Sequence, residues 1–253
     1  MKRFSTAYHM VLMFAFLTVG SVWAATPDWV GVLKKVDDST SFENGDFSAL
    51  ITVVSTKPGE DNNVIEARYF RRDKAKLFSI ILLKPSVQKG QGYLQDGDSL
   101  WFYDPESRKF AFTSLRESFQ DSDAQNSDFS TSTLAADYRI DSGTEGKLGA
   151  NDVWILELGA KAVTVPIAER KLWIRRSDNL VLKEEHYSVS GRLIRTIAVP
   201  KYQTVSGRFV PLSMLIVDNL KTGEKTQISF AEVSVGRLPD EVFTKSYLER
   251  MSR

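Results

Sequence analysis

The chain has 253 residues, with 33 Lys and Arg against 32 Asp and Glu, 42% hydrophobic and 11% aromatic residues, and no cysteine. A formal net charge of +1 offers no electrostatic case for nucleic acid or for general adhesion to an anionic membrane. The lack of cysteine excludes a disulfide framework and an acylated N-terminal cysteine.

At the N-terminus Lys2 and Arg3 precede an apolar run from Met10 to Leu17, followed by Gly20-Ser21-Val22-Trp23-Ala24-Ala25. This is the layout of a secretory signal peptide. Val22 and Ala24 meet the small-residue rule at the cleavage site, whereas a cut after Ala25 would set Trp23 where a small residue is needed. Cleavage is therefore expected after Ala24. The apolar run falls short of the roughly 20 residues that span a bilayer. Two units follow, a signal peptide over 1–24 and one domain over 25–253, released as a soluble periplasmic protein. Losing Lys2 and Arg3 brings the mature chain close to neutrality. No linker divides it, and the most polar stretch, Ser118 to Ser132, reads as a long solvated loop.

Trp29, Val30, Leu33 and Val36 recur at helical spacing, which predicts an amphipathic helix over Pro27 to Asp37. The pattern then changes to period two. Strands are predicted at Phe47–Thr56, Val64–Arg72, Lys76–Lys84, Gly92–Gln95, Ser99–Asp104 and Lys109–Ser114. The second half adds Val153–Leu158, Arg170–Arg175, Leu180–Val189, Arg192–Val199, Phe209–Asp218 and Lys225–Val233. Asp96-Gly97, Ser177-Asp178-Asn179, Ser190-Gly191 and Ser206-Gly207 supply turn chemistry between them. Short helices are expected at Ser127–Tyr138 and Asp240–Met251. No strand alternates with a crossover helix, so the fold class is mainly β: an incomplete antiparallel β-barrel of about a dozen strands with a few short helices as lid or plug. In Arg170-Lys171-Leu172-Trp173-Ile174-Arg175, Leu172 and Ile174 oppose Lys171, Trp173 and Arg175, so one face is wet and the other is not. Thin helical cover over so large a sheet can leave a ligand cavity.

Enzyme chemistry finds little footing. In the mature chain His186 is the sole histidine, on a strand rich in charge, and reads as a surface residue. A zinc site would need unusual carboxylate ligands. No Gly-x-Ser-x-Gly elbow accompanies His186. Asp121-Ser122-Asp123-Ala124-Gln125 begins like a calcium loop, but Asn126 stands at the sharp turn and Ser132 where the bidentate glutamate belongs. Glu184 and Glu185 point to opposite faces of a strand and cannot act as a glycosidase pair. No catalytic residue, metal or cofactor is expected.

Lys89-Gly90, Gly92-Tyr93-Leu94, Gly97-Asp98, Leu100-Trp101, Tyr103, Pro105 and Lys109 lead to Ser127-Asp128-Phe129-Ser130 and Tyr138. Leu172-Trp173-Ile174, Tyr187, Gly191-Arg192-Leu193, Gly207, Pro211, Thr226 and Phe243 follow. This order resembles the outer-membrane lipoprotein-sorting proteins of the LolA superfamily, over nearly the whole mature chain. The resemblance implies a half-barrel around a hydrophobic cavity that receives acyl chains under a helical lid. It implies an acylated lipoprotein or lipid as cargo, an inner-membrane transporter complex as donor, and delivery toward the outer membrane by a monomer. The alternative it implies is a periplasmic module that senses lipid or peptide and regulates a membrane partner, as in the anti-sigma-regulator branch.

Within that frame Leu100, Phe102, Phe110 and Phe112 are assigned to the cavity face because they are wholly apolar, with Trp101 and Tyr103 on the other face. Phe129, Leu134 and Tyr138 are assigned to the lid, and Phe129→Asp is expected to weaken acyl binding while the sheet stays folded. The carriers have a functional arginine in an Arg-Pro context ahead of a Leu-Phe pair. Here Arg71-Arg72-Asp73-Lys74-Ala75-Lys76-Leu77-Phe78 lacks the proline. It reads as a solvated basic turn, with Arg72 as the candidate for contact with a headgroup or a membrane partner.

Overall fold

The structure, a computed structural model, describes residues 27–42 and 45–252. The expected signal peptide, with Ala24 and Ala25, lies outside the described residues. The strands are β1 (Asp46–Thr56), β2 (Asn63–Arg72), β3 (Leu77–Lys84), β4 (Gly92–Asp96), β5 (Ser99–Asp104), β6 (Lys109–Thr113), β7 (Tyr138–Leu148), β8 (Asn151–Ala160), β9 (Glu169–Arg175), β10 (Val181–Tyr187), β11 (Leu193–Val205), β12 (Arg208–Asp218) and β13 (Lys225–Gly236). They form one sheet in the order β6-β5-β4-β3-β2-β1-β13-β12-β11-β10-β9-β8-β7. The chain thus steps from the centre to one edge, passes to the opposite edge, and returns to set β13 beside β1. Its two edges are not joined, so the antiparallel barrel is incomplete. Among the described residues three short helices accompany it: α1 (Trp29–Thr40), α2 (Leu134–Asp137) and α3 (Lys245–Met251).

Alternation decides which side chains face inward. Phe47, Ala49, Ile51 and Val53 of β1, Ile65, Ala67 and Tyr69 of β2, and Phe78, Ile80 and Leu82 of β3 are all buried in one cluster. Ile197, Val199, Val210, Ile216 and Ile228 join it from the other half, so the sheet curls around a shared interior. The connection from β6 to β7 crosses this interior. Phe119, Ala124 and Phe129 of that crossover belong to the same cluster. The solvated loop expected at Ser118–Ser132 is corrected accordingly: Phe119 and Ala124 are 0% exposed and Asn126 is 1% exposed.

The helix expected over Ser127–Tyr138 is broken. A 3-10 turn at Asn126–Phe129 is followed by an extended Ser-Thr run and the four-residue α2. Hydroxyls of Ser130, Thr131 and Ser132 bind side chains of Gln95, Asp73 and Asp37. Such residues gain more from these partners than from a helix interior. Asp28 caps α1 by accepting from the Gly31 N–H at 3.0 Å. Val32, Leu33 and Val36 of α1 then pack on Leu156, Leu158, Leu172 and Ile174. β7 is absent from the predicted strands because it is an edge strand whose single fully buried residue is Tyr138. Its Gly143 sits under α1, where a Cβ would meet the Trp29 ring at 2.5 Å.

The register of β5 and β6 corrects the cavity face. Trp101 lies opposite Phe112, and Tyr103 opposite Phe110. Directly opposed residues share a face, so Phe110 and Phe112 lie with Trp101 and Tyr103 on the outer side, away from Leu100 and Phe102. Phe112 is 76% exposed. Phe110 packs beside Tyr103 and Leu248 of α3.

Arg72 is also corrected: it is no free headgroup contact. Its Nε and Nη2 donate to both oxygens of Asp46 at 2.9 and 2.8 Å. Nη1 donates to Asp240 at 2.6 Å and Nη2 to the Leu238 carbonyl at 2.8 Å. The guanidinium lies 4.7 Å from the Phe243 ring centroid. Arg72 thus clasps the C-terminal segment to the outer face of the sheet. Arg72→Ala should lower stability by about 2–4 kcal/mol and expose residues 237–252 to limited proteolysis. Arg72→Lys should restore little of either, since a lysine cannot reproduce the fork.

Candidate functional site

The crossover roofs the interior without filling it. A cavity of about 340 Å³ remains between the inner sheet face, the end of α1 and the crossover. Phe42, Phe78, Val199, Val210, Met214 and Phe230 supply apolar wall. Leu134 and Tyr138, assigned to the lid from sequence, line it as well. Phe129 does not. Its ring lies 4.7 Å from that of Phe119 and 5.7 Å from that of Tyr69, and its carbonyl accepts the Tyr69 hydroxyl. At 1% exposed it is core. Leu100 and Phe102 face the interior but pack beside Tyr93 and Phe119 under the crossover, outside the cavity wall. For Phe129→Ala a loss of about 3–5 kcal/mol of stability is expected in chemical denaturation. The aspartate variant proposed from sequence should unfold the sheet rather than spare it.

One side of the wall is charged, and the sequence reading missed it. Arg71 follows Ile65, Ala67 and Tyr69 in the inward series of β2. Its Nη2 donates to the Thr40 carbonyl at 3.0 Å and to Asp73 at 3.1 Å, and its guanidinium lies 4.8 Å from the Phe42 ring centroid. Asp73, buried, also accepts from the Phe42 N–H at 2.7 Å and from the Thr131 hydroxyl at 3.0 Å. The expected solvated basic turn therefore holds a buried ion pair, with Lys74 and Lys76 exposed.

Across the cavity, inward positions of three adjacent strands carry a second network. Arg170 of β9 donates to Glu184 of β10 at 2.7 Å and to the Tyr138 hydroxyl at 2.8 Å. That hydroxyl donates to the Ile167 carbonyl at 2.9 Å. Arg195 of β11 grips both oxygens of Asp128 in the crossover, Nη1 at 3.0 Å, and also reaches the Asp123 carbonyl at 3.1 Å. Between them lies His186, which is 2% exposed and not a surface residue. Arg195 Nε donates to His186 Nδ1 at 3.0 Å. Nδ1 must then carry a lone pair, so the ring is neutral and Nε2–H donates to Glu184. Both ring nitrogens are engaged, which leaves neither available as a general base. Burial pushes the His186 imidazole below its usual pKa, against the pull of Glu184. Burial works against the Glu184 carboxylate, but Arg170, His186 and Arg195 outweigh it and hold its pKa at about 2.

The acidic stretch once compared with a calcium loop contributes Asp123, which approaches Asp218 and Glu224. Lys221 stands 3.2 Å from Glu224 and 3.9 Å from Asp218, and the Thr226 hydroxyl donates to Asp123 at 2.8 Å.

Both Glu184 and His186 hold fewer protons folded than unfolded at mildly acid pH, so acid favours unfolding. The His186 share of stability is present above about pH 6.5 and is lost as pH falls toward its lower folded value. The Glu184 share goes between about pH 4.5 and about 2. The melting temperature should be level near pH 7 to 8 and fall below about pH 6.5, with at most about 1.4 kcal/mol per pH unit from one proton. His186→Gln keeps a donor and an acceptor without titrating, so it should flatten the fall between pH 6.5 and 5. An unchanged slope would place the acid sensitivity elsewhere.

A protein-family model described as an uncharacterized protein matches residues 74–250. Comparison with the curated proteins gives no match. Among solved structures, a LolA superfamily protein from Nitrosomonas europaea is 24% identical, with a TM-score of 0.76 over 86% of this chain and 97% of its own. A putative outer membrane lipoprotein-sorting protein domain from Vibrio parahaemolyticus is 19% identical, with a TM-score of 0.78 over 87% of this chain and 98% of its own. A DUF1329 family protein from Desulfovibrio piger gives 19%, 0.78, 87% and 97% for the same quantities. The chain belongs to the uncharacterized-protein family matched at residues 74–250, and its fold is that of the LolA superfamily.

Proposed function

We propose that this chain is a binding protein of the cell envelope that takes an acyl chain of a lipid or lipoprotein into the roofed cavity and carries it toward the outer membrane. The observation that carries this reading is the cavity itself. A sheet with this much inward apolar surface could have packed solid, yet about 340 Å³ stays open among Phe42, Phe78, Val199, Val210 and Met214. An apolar ligand seated against these side chains would remove its own surface and theirs from water. An acyl chain of 16 carbons represents on the order of 12 kcal/mol of burial, enough to drive capture from water. The engaged nitrogens of His186 and the paired state of its neighbours favour binding over catalysis. The signal-like N-terminus and the near-neutral mature chain favour a periplasmic protein, with an inner-membrane complex as donor. The likeness in fold to a putative lipoprotein-sorting domain supports the same reading.

Native mass spectrometry of protein purified gently from its own envelope tests it. A stoichiometric acyl-bearing species should co-purify and be released by detergent. Protein that carries none, and that also fails to take up a fluorescent fatty acid, would sink the acyl-binding function.

A further inference from the structure

The turns of the sheet do not share out its exposed apolar side chains evenly. Every second turn of an antiparallel sheet falls at the same end. One end carries the turns at 57–62, 85–91, 105–108, 161–168, 188–192 and 219–224, and the other those at 73–76, 97–98, 149–150, 176–180 and 206–207. Val87, Val163, Val189 and Leu220 all stand at the first end, 86%, 91%, 86% and 45% exposed. Among the described residues, the turns at the second end expose no large apolar side chain. A lone exposed valine is ordinary, but one tip per hairpin along one rim is a surface.

Charge follows the same division. The turns at 85–91, 161–168 and 188–192 contain Lys89, Lys161 and Arg192 and no acidic residue, whereas Asp73, Asp98 and Asp178 stand at the opposite end. Leu220 is followed by Lys221, which pairs with Glu224 at 3.2 Å. Glu60 and Asp61 set the turn at 57–62 apart, so the continuous stretch is the three consecutive hairpins at 161–168, 188–192 and 219–224. Adjacent hairpins are two strand spacings apart, about 10 Å. Separate tips at that distance leave gaps that a folded partner would have to fill, while fluid lipid closes around each one. Apolar tips beside basic side chains match a bilayer interface: the tips enter the acyl boundary and the cations stay with the phosphates. The chain as a whole is near neutral, so this attraction is local to the rim.

The rim adjoins the cavity. Val165 and Pro166, on the inner flank of the turn at 161–168, line the cavity wall. Arg116 of the crossover donates to the Val163 carbonyl and, at 2.8 Å, to that of Val165. Lys161 donates to the Ala135 and Ala136 carbonyls at 3.1 and 2.8 Å. Roof and hairpin tip are thereby tied together.

We propose that the hairpin tips at Val163, Val189 and Leu220 dock this protein on an anionic phospholipid bilayer, with Lys161, Arg192 and Lys221 at the headgroups. Docking there sets the cavity wall beside the membrane, so that an acyl chain passes between the two with little of it exposed to water. The docking stands on the rim alone; the passage of a chain rests on the acyl-binding reading above.

Flotation of the purified protein with phosphatidylethanolamine–phosphatidylglycerol vesicles, and with phosphatidylcholine vesicles for comparison, tests it. The protein should float with the anionic vesicles, less with the neutral ones, and less as salt is raised. Serine in place of Val163, Val189 and Leu220 together should lower the partition at least about tenfold with circular dichroism and melting temperature unchanged, because the tips are exposed. Arg192→Ser should cost about fivefold on anionic vesicles and nothing on neutral ones. Phe112, exposed on the edge strand β6 away from this rim, is the control: Phe112→Ser should float as the parent does. A parent that does not float, a folded triple variant that floats undiminished, or an equal loss in Phe112→Ser would each overturn the proposal. Uptake of a fluorescent fatty acid in vesicle-free buffer reads the acyl-binding function separately: uptake without flotation removes the docking alone, and flotation without uptake removes the acyl-binding function alone.

Discussion

One connection governs this molecule: the passage from β6 at one edge of the sheet to β7 at the other. The first six strands spread outward from the centre in one direction and the last seven return from the opposite side, so the chain must cross the whole interior between them. A segment that does this takes its backbone N–H and C=O groups into an apolar space. Each must find a partner there, because leaving one unpaired costs more than making the bond gains. The crossover meets the demand with its own short polar side chains and with charged residues sent inward from the sheet. Arg195, Asp73 and Asp37 are the three anchors.

This explains why a partly apolar wall carries so many charges. Arg170, Glu184 and His186 stand behind the anchor formed by Arg195 and fix its direction. Buried ion pairs add little net stability over apolar packing, but removing one partner is severe. The network therefore holds the roof in one place. That place defines the shape of the cavity, which traces back to the fastening of one connection.

Much of the fold was legible because period-two alternation and turn chemistry are local signals. All twelve expected strands have counterparts, and the helix at Trp29–Thr40 is where its spacing placed it. β7 was hidden because an exposed edge strand needs no apolar face, and its glycine answers to a tryptophan far away in sequence. The crossover was misread for the opposite reason. Its composition is that of a solvated loop, and only contacts distant in sequence reveal that it is buried. The charged wall was within reach of the alternation rule. Extending Ile65, Ala67 and Tyr69 by two residues leads to Arg71 rather than Arg72. Reading inward from Leu182 leads to Glu184 and His186, the one weighed only as half of a glycosidase pair and the other read as a surface residue because its strand is rich in charge. The outward placement of Phe110 and Phe112 likewise followed from the register of one hairpin, which their apolar character could not supply.

The pairing of β1 with β13 has a consequence for how such a chain comes into being. These strands sit side by side from Asp46 opposite Gly236 to Thr56 opposite Lys225, so the middle of the sheet joins the two extremes of the sequence. Contacts so distant in sequence form late and slowly. A chain made N-terminus first holds β1 unpaired on that side until nearly the last strand is available. The topology that closes the sheet at its centre thus withholds cooperative folding until the chain is almost whole.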